Sequence, residues 1–205
     1  MKKTSITIGL TGQTGAGKTT VSDIFAANNF EIINCDIIAR TVTVNGSKCN
    51  EQLSLIFPEC FNNDLSLNRK KLAGIVFNDP SKLLLLNKTI FPYINQKISQ
   101  KINQLTAAGI KYILLDAPTL FEAGADKHCD IIVSCIADEQ IRLERIIKRD
   151  NISEELARSR IKAQRSDEFY IYHSDYIIKN NGSLSEAVSQ TENIIKQIKL
   201  SLIHI

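Results

Sequence analysis

Residues 5–20 read SITIGLTGQTGAGKTT, and this stretch decides the fold of the chain. The mostly apolar residues 5–10 predict a buried β-strand that leads directly into a glycine-rich turn. Apolar residues at helical spacing then predict a helix over residues 18–28. A strand, a glycine-rich turn and a helix in immediate succession indicate an α/β architecture.

Four further short apolar runs predict β-strands, and polar residues bound each of them: 30–33, 112–115, 131–136 and 176–178. Helical patterns separate these runs, and apolar residues from Leu184 to Leu202 recur at helical spacing. Strands that alternate with helices favour a parallel sheet that helices cover on both faces. We therefore expect an α/β fold with a parallel five-stranded sheet.

Two stretches do not fit a simple alternation of strand and helix. Residues 37–109 show helical spacing but little strand pattern, and they are too long for an ordinary connection. We predict that they form an inserted helical domain, with residues 1–36 and 110–205 as the core. The second stretch, residues 140–168, is dense in arginine.

Composition excludes several classes of function. The 205 residues are 43% hydrophobic and 23% charged, which is typical of a soluble globular protein. The net charge is only +3, and no basic stripe precedes residue 140, so we expect no nucleic-acid partner. The five cysteines contain no C-x-x-C pair and the three histidines lie singly, which argues against a disulfide framework and a zinc site.

The N-terminal apolar stretch is too short for a signal sequence, and no segment is long enough to span a membrane. We therefore expect a cytoplasmic protein without a membrane partner. The oligomeric state is left open.

Residues 12–19 fit the pattern G-x-x-x-x-G-K-[ST], a phosphate-binding loop of the P-loop type. Its glycines let backbone N–H groups turn inward around phosphates, and the following helix directs its positive end at the same charge. Lys18 should reach the terminal phosphates, and the Thr19 hydroxyl should ligate Mg²⁺. We expect the nucleotide to be bound by Gly12, Gly15, Ala16, Gly17, Lys18, Thr19 and Thr20.

The loop alone does not fix the reaction, because kinases, GTPase switches and motors share it. A GTPase usually carries an Asn-Lys-x-Asp motif, and residues 87–90 (NKTI) lack the aspartate. Motors are generally larger. A small-molecule kinase needs an acceptor pocket, a group that orients the acceptor hydroxyl, and cations around the transferred phosphoryl group. The helical insertion, Asp36 at the end of the second strand and the arginine-rich stretch can supply these.

More specific motifs follow one another along the chain: 34–40 (NCDIIAR), 67–69 with 76–80, 116–122 (DAPTLFE), residues between 140 and 164, and 175 with 180–182. In this order, together with the loop, they resemble the dephospho-CoA kinase family over nearly the whole chain. The resemblance implies transfer of the γ-phosphoryl group of ATP to the ribose 3′-hydroxyl of dephospho-CoA, the last step of coenzyme A synthesis. It also implies that residues 37–109 bind the acceptor and that residues 140–168 form a lid.

By the same resemblance, Asp36 orients or deprotonates the acceptor hydroxyl, against the alternatives of a solvated residue or a helix N-cap. Arg145 and Arg149 lie one helical turn apart and can face the same phosphates, so Arg145 is a catalytic candidate and Arg149 an ATP-binding one. The alternative for both is a solvated, salt-bridged helix, to which we assign Arg142, Arg158 and Arg165.

Asp116 ends an apolar strand, where a Mg²⁺-associated carboxylate often lies, and a structural aspartate is the alternative. Arg69 and Glu122 are candidates for binding the acceptor, against surface charge for Arg69.

Three residues depart from the family pattern. Asn34 replaces an aspartate, so one carboxylate is missing near the metal. Phe91 replaces a histidine and Thr119 a leucine, and both bear on acceptor affinity more than on the class of reaction. Two other functions stay open: a kinase of another nucleoside or metabolite, and a nucleotide-binding switch protein.

Overall fold

The computed structural model describes residues 5–201. Its strands are β1 (Ile6–Gly12), β2 (Glu31–Asn34), β3 (Tyr112–Asp116), β4 (Ile131–Ile136) and β5 (Tyr176–Lys179). Its helices are α1 (Lys18–Ala27), α2 (Cys35–Val42), α3 (Lys48–Ile56), α4 (Arg69–Val76), α5 (Pro80–Ala107), α6 (Glu139–Asp150), α7 (Glu154–Lys162), α8 (Asp167–His173) and α9 (Leu184–Ser201). The five predicted strands are confirmed. Leu202, predicted in the last helix, lies outside the described residues.

The strands form one sheet in the order β2-β3-β1-β4-β5, and every pairing is parallel. Leu10 of β1 and Asn34 of β2 both pair with Asp116 of β3. The carboxyl ends of these three strands therefore meet at one edge of the sheet. The connection after β1 leads to β2 on one side of β1, whereas the connection after β3 leads to β4 on its other side. α/β folds bind their ligands at the carboxyl ends of the strands where the connections diverge in this way.

Helices cover both faces of the sheet, as predicted. On one face, β1 residues such as Ile8 pack with Phe25 of α1 and Ile198 of α9 in one buried apolar cluster. On the other face, Ile113 of β3 packs with Ile98 of α5 in a second cluster. Burial of these side chains on both sides holds the sheet and its loops in a fixed frame.

The stretch predicted as a helical insertion consists of α2 to α5 with a 3₁₀ turn at Pro58–Cys60. Leu53 of α3 and Leu72 of α4 belong to a separate apolar cluster, against which Leu86 of α5 packs. The 28-residue helix α5 also contributes Ile98 to the cluster on the sheet, and Pro92 lies inside it. That this stretch is a separate domain stays a prediction.

Asp36 lies two residues beyond the end of β2, in the first turn of α2. The helix N-cap is Asn34, whose side chain accepts a hydrogen bond from the Ile37 N–H at 3.0 Å. A carboxylate in the first turn is favourable there, because the helix dipole is positive at that end. Asn34, which departs from the family pattern, therefore has a structural role that the sequence analysis did not assign to it.

Within residues 5–201, no helix combines the length and the apolar character needed to cross a bilayer.

The cap can be tested by substitution. Asn34→Ala should lower the free energy of unfolding by about 1 kcal/mol, because the Ile37 N–H loses its acceptor. Asn34→Asp keeps an acceptor at the same place and should be close to wild type in urea denaturation. Asn103→Ala, at an exposed position of α5, serves as the control and should not destabilise the protein. Equal stability of Asn34→Ala and the control would contradict the assigned cap.

Candidate functional site

The phosphate loop occupies the turn between β1 and α1. Gly15 and Gly17 have φ angles of 79° and 90°, in the left-handed region that glycine adopts without strain. Gly17 is the N-cap of α1, and no side chain caps the first turn of that helix. The N–H groups at this end of α1 therefore remain available to an anion.

Neighbouring elements clamp the loop from two sides. A methyl group on Gly12 would overlap the carbonyl oxygen of Cys135 in β4. A methyl group on Gly17 would overlap the side-chain amide of Asn180, which follows β5. That amide donates to the carbonyl of Ala16 at 2.8 Å. Only glycine allows the loop to approach its neighbours this closely.

Lys18 and Asp116 form an ion pair, in which Lys18 Nζ donates to Asp116 Oδ1. Asp116 is only 6% exposed at the end of β3, and a buried carboxylate needs such a partner. The two predicted metal ligands thus differ in their surroundings: Asp116 is paired with Lys18, whereas the side chain of Thr19 is exposed beside the loop.

A cavity of about 740 Å³ opens beside the phosphate loop, and we call it the loop cavity. Its wall contains most of the predicted nucleotide-binding and catalytic residues: Gly12, Gly15, Gly17, Lys18, Thr19, Asp36, Arg145 and Arg149. Lys148 adds a fourth cation to this wall, against the single carboxylate of Asp36. The surplus of positive charge suits a polyanion. Of the remaining predicted residues, Ala16 is fully buried and Thr20 is half-buried one residue beyond the lining.

The two predicted lid arginines make different contacts. Arg145 Nη1 donates to the carbonyl of Asn180 at 3.0 Å and more weakly to that of Gly15 at 3.4 Å. Arg149 instead donates from Nε and Nη2 to Asp150 at 2.8 and 3.0 Å, and its side chain is 60% exposed. This hydrogen bonding raises the pKa of Arg149 and lowers that of Asp150. Arg145 is therefore bound to the loop, whereas Arg149 is bound within its own helix.

A second cavity of about 510 Å³ lies against α4 and α5, and we call it the helical cavity. Both predicted acceptor residues line it, Arg69 and Glu122, among mostly apolar side chains. So do Phe91 and Thr119, two of the three departures from the family pattern.

Contacts between residues far apart in the chain hold the two predicted acceptor residues of the helical cavity, Arg69 and Glu122. Arg69 Nη2 donates to Thr43 Oγ1 at 2.5 Å and to the Arg40 carbonyl at 3.2 Å. Burial, and then the charge of Arg40, lowers the pKa of Arg69. Glu122 accepts from Arg165 Nε at 3.4 Å.

The two cavities adjoin, because Pro118 and Gln164 line both of them. Asp36 lines the loop cavity and also a smaller cavity of about 50 Å³, whose wall includes Pro118 and Thr119. Asp36 therefore lies on the side of the loop cavity that faces the helical cavity.

The family model described as dephospho-CoA kinase matches residues 6–186 of the chain. The chain belongs to the dephospho-CoA kinase family. A dephospho-CoA kinase from Arabidopsis thaliana is 37% identical over 196 residues, which cover 95% of this chain and 84% of the relative. One from Fusobacterium nucleatum is 37% identical over 191 residues, or 93% of this chain and 97% of the relative.

Solved structures agree with this membership. The dephospho-CoA kinase from Campylobacter jejuni has a TM-score of 0.68 and 25% identity, covering 94% of this chain and 96% of its own. The protein TT1252 from Thermus thermophilus has a TM-score of 0.81 and 27% identity, covering 94% of this chain and 97% of its own. The predicted family, fold class and enzyme class are thereby confirmed. The chain is a kinase of the last step of coenzyme A synthesis.

The charged groups near the phosphate loop affect the pKa of one buried thiol, that of Cys35. Burial raises the pKa of Cys35 to about 12, the charges of Asp116 and Asp36 add to the rise, and Lys18 opposes it. Cys35 therefore lies within electrostatic range of Asp116, Asp36 and Lys18. In the described part of the chain, no group of three or more His, Cys, Asp or Glu side chains is arranged to hold a metal ion.

The sequence analysis was wrong about one of the three arginines that it assigned to a solvated, salt-bridged surface. Arg142, predicted as solvated, is 5% exposed, and its Nε donates to the Ala137 carbonyl at 2.9 Å. Its position four residues before the buried Ile146 was the signal for an inward-facing side chain. Arg165 is solvated and ion-paired as predicted, since its side chain is 54% exposed and its Nε lies 3.4 Å from Glu122 Oε1. It also lines the helical cavity and lies over the Phe169 ring, 4.7 Å from its centroid, and no pattern in the sequence identified that contact. Arg158 is ion-paired with Glu154 at 2.7 Å, as predicted.

Substitution of Gly17 tests the clamp on the loop. Gly17→Ala should both destabilise the protein and weaken ATP binding by at least about 10-fold, because the added methyl group displaces either Asn180 or the loop. The matched control is Gly109→Ala, since Gly109 has a similar φ of 78° but open space around it. The control should cost about 1–2 kcal/mol in stability and leave nucleotide affinity unchanged. Fluorescent nucleotide titration of both variants provides the comparison, and equal ATP affinities would show that the clamp is unimportant.

Proposed function

We propose that this kinase binds ATP in the loop cavity and dephospho-CoA in the helical cavity, and that the γ-phosphoryl group passes between them. The observation that carries the proposal is that the two cavities adjoin at Pro118 and Gln164. Phosphoryl transfer needs donor and acceptor in line and in contact, and adjoining cavities would allow the two substrates to meet.

The donor half rests on the phosphate loop. Backbone N–H groups of the loop and the N-terminal end of α1 would bind the β- and γ-phosphates. Lys18 would reach the terminal phosphates, and Arg145, which is bound to the loop, would neutralise further charge on them. Arg149 would contact ATP only after leaving Asp150, which is a movement expected of a closing lid.

Mg²⁺ fits the residues beside the loop. A hydroxyl from Thr19 and a carboxylate from Asp116 are the hard oxygen ligands that Mg²⁺ prefers, and substrate phosphates usually complete its coordination. When bound, Mg²⁺ neutralises charge that develops on the β- and γ-phosphates. Asp116 is paired with Lys18 in the structure. When ATP binds, its phosphates would attract Lys18, and the Asp116 carboxylate could then bind Mg²⁺ as well. The side chain of Asn34 caps α2 and is not one of the two proposed ligands, Thr19 and Asp116. Its lack of charge therefore removes neither ligand.

In the transfer step, a bond forms between the 3′-oxygen of the acceptor and the γ-phosphorus. The bond from that phosphorus to the oxygen bridging it to the β-phosphate breaks, and ADP leaves. The hydroxyl proton passes to Asp36 or to solvent. Because the transition state is loose and the nucleophile needs little activation, Asp36 would act mainly by orienting the hydroxyl.

The acceptor half rests on the helical cavity. Its apolar wall suits the organic arm of dephospho-CoA, and Arg69 supplies a cation for its phosphates. Thr43 and the Arg40 carbonyl fix the direction of the Arg69 side chain before any ligand binds. Phe91 and Thr119 would contact the same ligand and tune its affinity.

This division of labour also describes the domains. Residues 1–36 and 110–205 would form the nucleotide-binding core, residues 37–109 the acceptor domain, and residues 140–168 a lid. We place the enzyme in the cytoplasm, where a reducing environment suits the buried thiols of Cys35, Cys49, Cys60 and Cys135.

The activity can be tested with purified protein, ATP, Mg²⁺ and dephospho-CoA as the sole acceptor. Coenzyme A and ADP should form in equal amounts in a coupled assay, and EDTA should stop the reaction. Faster turnover of nucleosides or other small acceptors would show that the acceptor is wrong. Tight GTP binding without acceptor-dependent transfer would indicate a switch protein instead.

Substitution of Asp36 tests its assigned role. Asp36→Asn should lower kcat by at least about 100-fold, because the amide cannot accept the proton or orient the hydroxyl in the same way. The dissociation constant of ATP should remain within about 2-fold, since Asp36 contacts the acceptor side. Asp23→Asn, at an exposed position of α1, is the matched control and should turn over at the wild-type rate. Wild-type turnover by Asp36→Asn would remove Asp36 from the mechanism.

A further inference from the structure

Two hydrogen bonds connect the phosphate loop to Gln164, which lies between α7 and α8, and to Asp167, the first residue of α8. The Thr14 N–H donates to Gln164 Oε1 at 2.9 Å, and Gln13 Nε2 donates to Asp167 Oδ1 at 2.6 Å. Gln164 and Asp167 are both half-buried. The end of the proposed lid is therefore tied to the loop that would hold the ATP phosphates.

The first of these bonds fixes which way the Gln164 carboxamide points. A backbone N–H can only donate, so the atom that faces Thr14 must be the carboxamide oxygen. The two N–H groups on Nε2 then point away from the loop backbone, and among residues 5–201 no hydrogen bond from Nε2 is seen. Gln164 thus has two N–H donors available beside both cavities.

The position of Gln164 is unusual among the lining residues. Among residues 5–201, Gln164 shares the boundary of the two cavities only with Pro118, whose side chain has no hydrogen-bond donor. Three cations of the loop cavity have other partners: Lys18 is bound to Asp116, Arg145 to backbone carbonyls, and Arg149 to Asp150. The fourth, Lys148, lines the loop cavity but not the helical cavity. A phosphoryl group that crosses from one cavity to the other would pass between or beside Gln164 and Pro118.

We propose that Gln164 is a further catalytic residue, whose Nε2 donates to an oxygen of the γ-phosphoryl group as it is transferred. This inference rests on the proposed binding of ATP in the loop cavity. The Thr14 N–H holds the carboxamide by its oxygen and so aims the nitrogen at the group in transfer. A fixed donor, held ready before the reaction, stabilises the charge spread over the phosphoryl oxygens.

The distinguishing measurement is the ratio of two affinities. A donor to the γ-phosphoryl group contributes to binding of a non-hydrolysable ATP analogue but not to binding of ADP. Gln164→Glu keeps an oxygen acceptor for the Thr14 N–H, loses the donors and adds a negative charge. Its affinity for the analogue should fall by about 10-fold or more, with ADP affinity within about 2-fold.

In the same variant, kcat for phosphorylation of dephospho-CoA should fall by about 100-fold, with the KM for the acceptor little changed. Gln164→Met, which is similar in length but lacks any donor, should lower the same affinity ratio to a smaller extent. It serves as the second variant should Gln164→Glu fail to fold.

Two controls separate catalysis from structure. Gln104→Glu, at an exposed position of α5, makes the same chemical change away from both cavities and should behave as wild type. Asp167→Ala removes only the hydrogen bond from Gln13, and it should leave the ratio of analogue to ADP affinity unchanged. An equal loss of both affinities in Gln164→Glu, or no loss of either, would overturn the proposal.

The binding measurements need no acceptor, so they remain decisive if the wild-type protein fails to phosphorylate dephospho-CoA. In that case the proposed acceptor is wrong, while the affinity ratio still decides whether Gln164 contacts the γ-phosphoryl group.

Discussion

The parallel pairing of β3 with both β1 and β2 is the constraint on which the rest of this kinase depends. It aligns Leu10 and Asn34 with Asp116, so β2 and β3 end level with each other, two residues before the end of β1. The phosphate loop, Asp36 and Asp116 then meet at one edge, although they are far apart in the sequence. A slip of one residue in this register would turn Asp116 to the opposite face of the sheet and separate it from Lys18.

The charged side chains at this edge differ in how firmly their contacts hold them. Lys18 and Asp116 neutralise each other in a buried pair, and Arg145 is bound to backbone carbonyls. Lys148 and Arg149 lie on exposed parts of α6, where solvent screens them. The fixed groups can orient a phosphate, whereas the exposed ones mainly raise its local concentration. A mild net charge of +3 on the whole chain is compatible with this local excess.

The sequence allowed the fold to be predicted almost completely, because each strand is a short apolar run and the loop pattern demands a strand before it and a helix after it. Most loop-cavity residues were also predicted, since they belong to motifs with a defined mechanism. The contacts that cross the chain were not. The cap formed by Asn34, the bond from Thr14 to Gln164 and the stacking of Arg165 on Phe169 depend on tertiary placement. No local spacing encodes them, because their partners lie far apart in the sequence.

The N-terminal part of helix α5 packs on the inserted helices α3 and α4, and its C-terminal part packs on the sheet. Pro92 lies between these two parts. A proline in a helix cannot donate a hydrogen bond to the residue four positions before it, here Lys88, and its ring crowds that carbonyl. The helix is therefore mechanically weakest at the turn beside Phe91, which lines the helical cavity. A change in the direction of α5 would therefore occur most easily at this turn, between the part of the helix that packs on the sheet and the part that packs on α3 and α4.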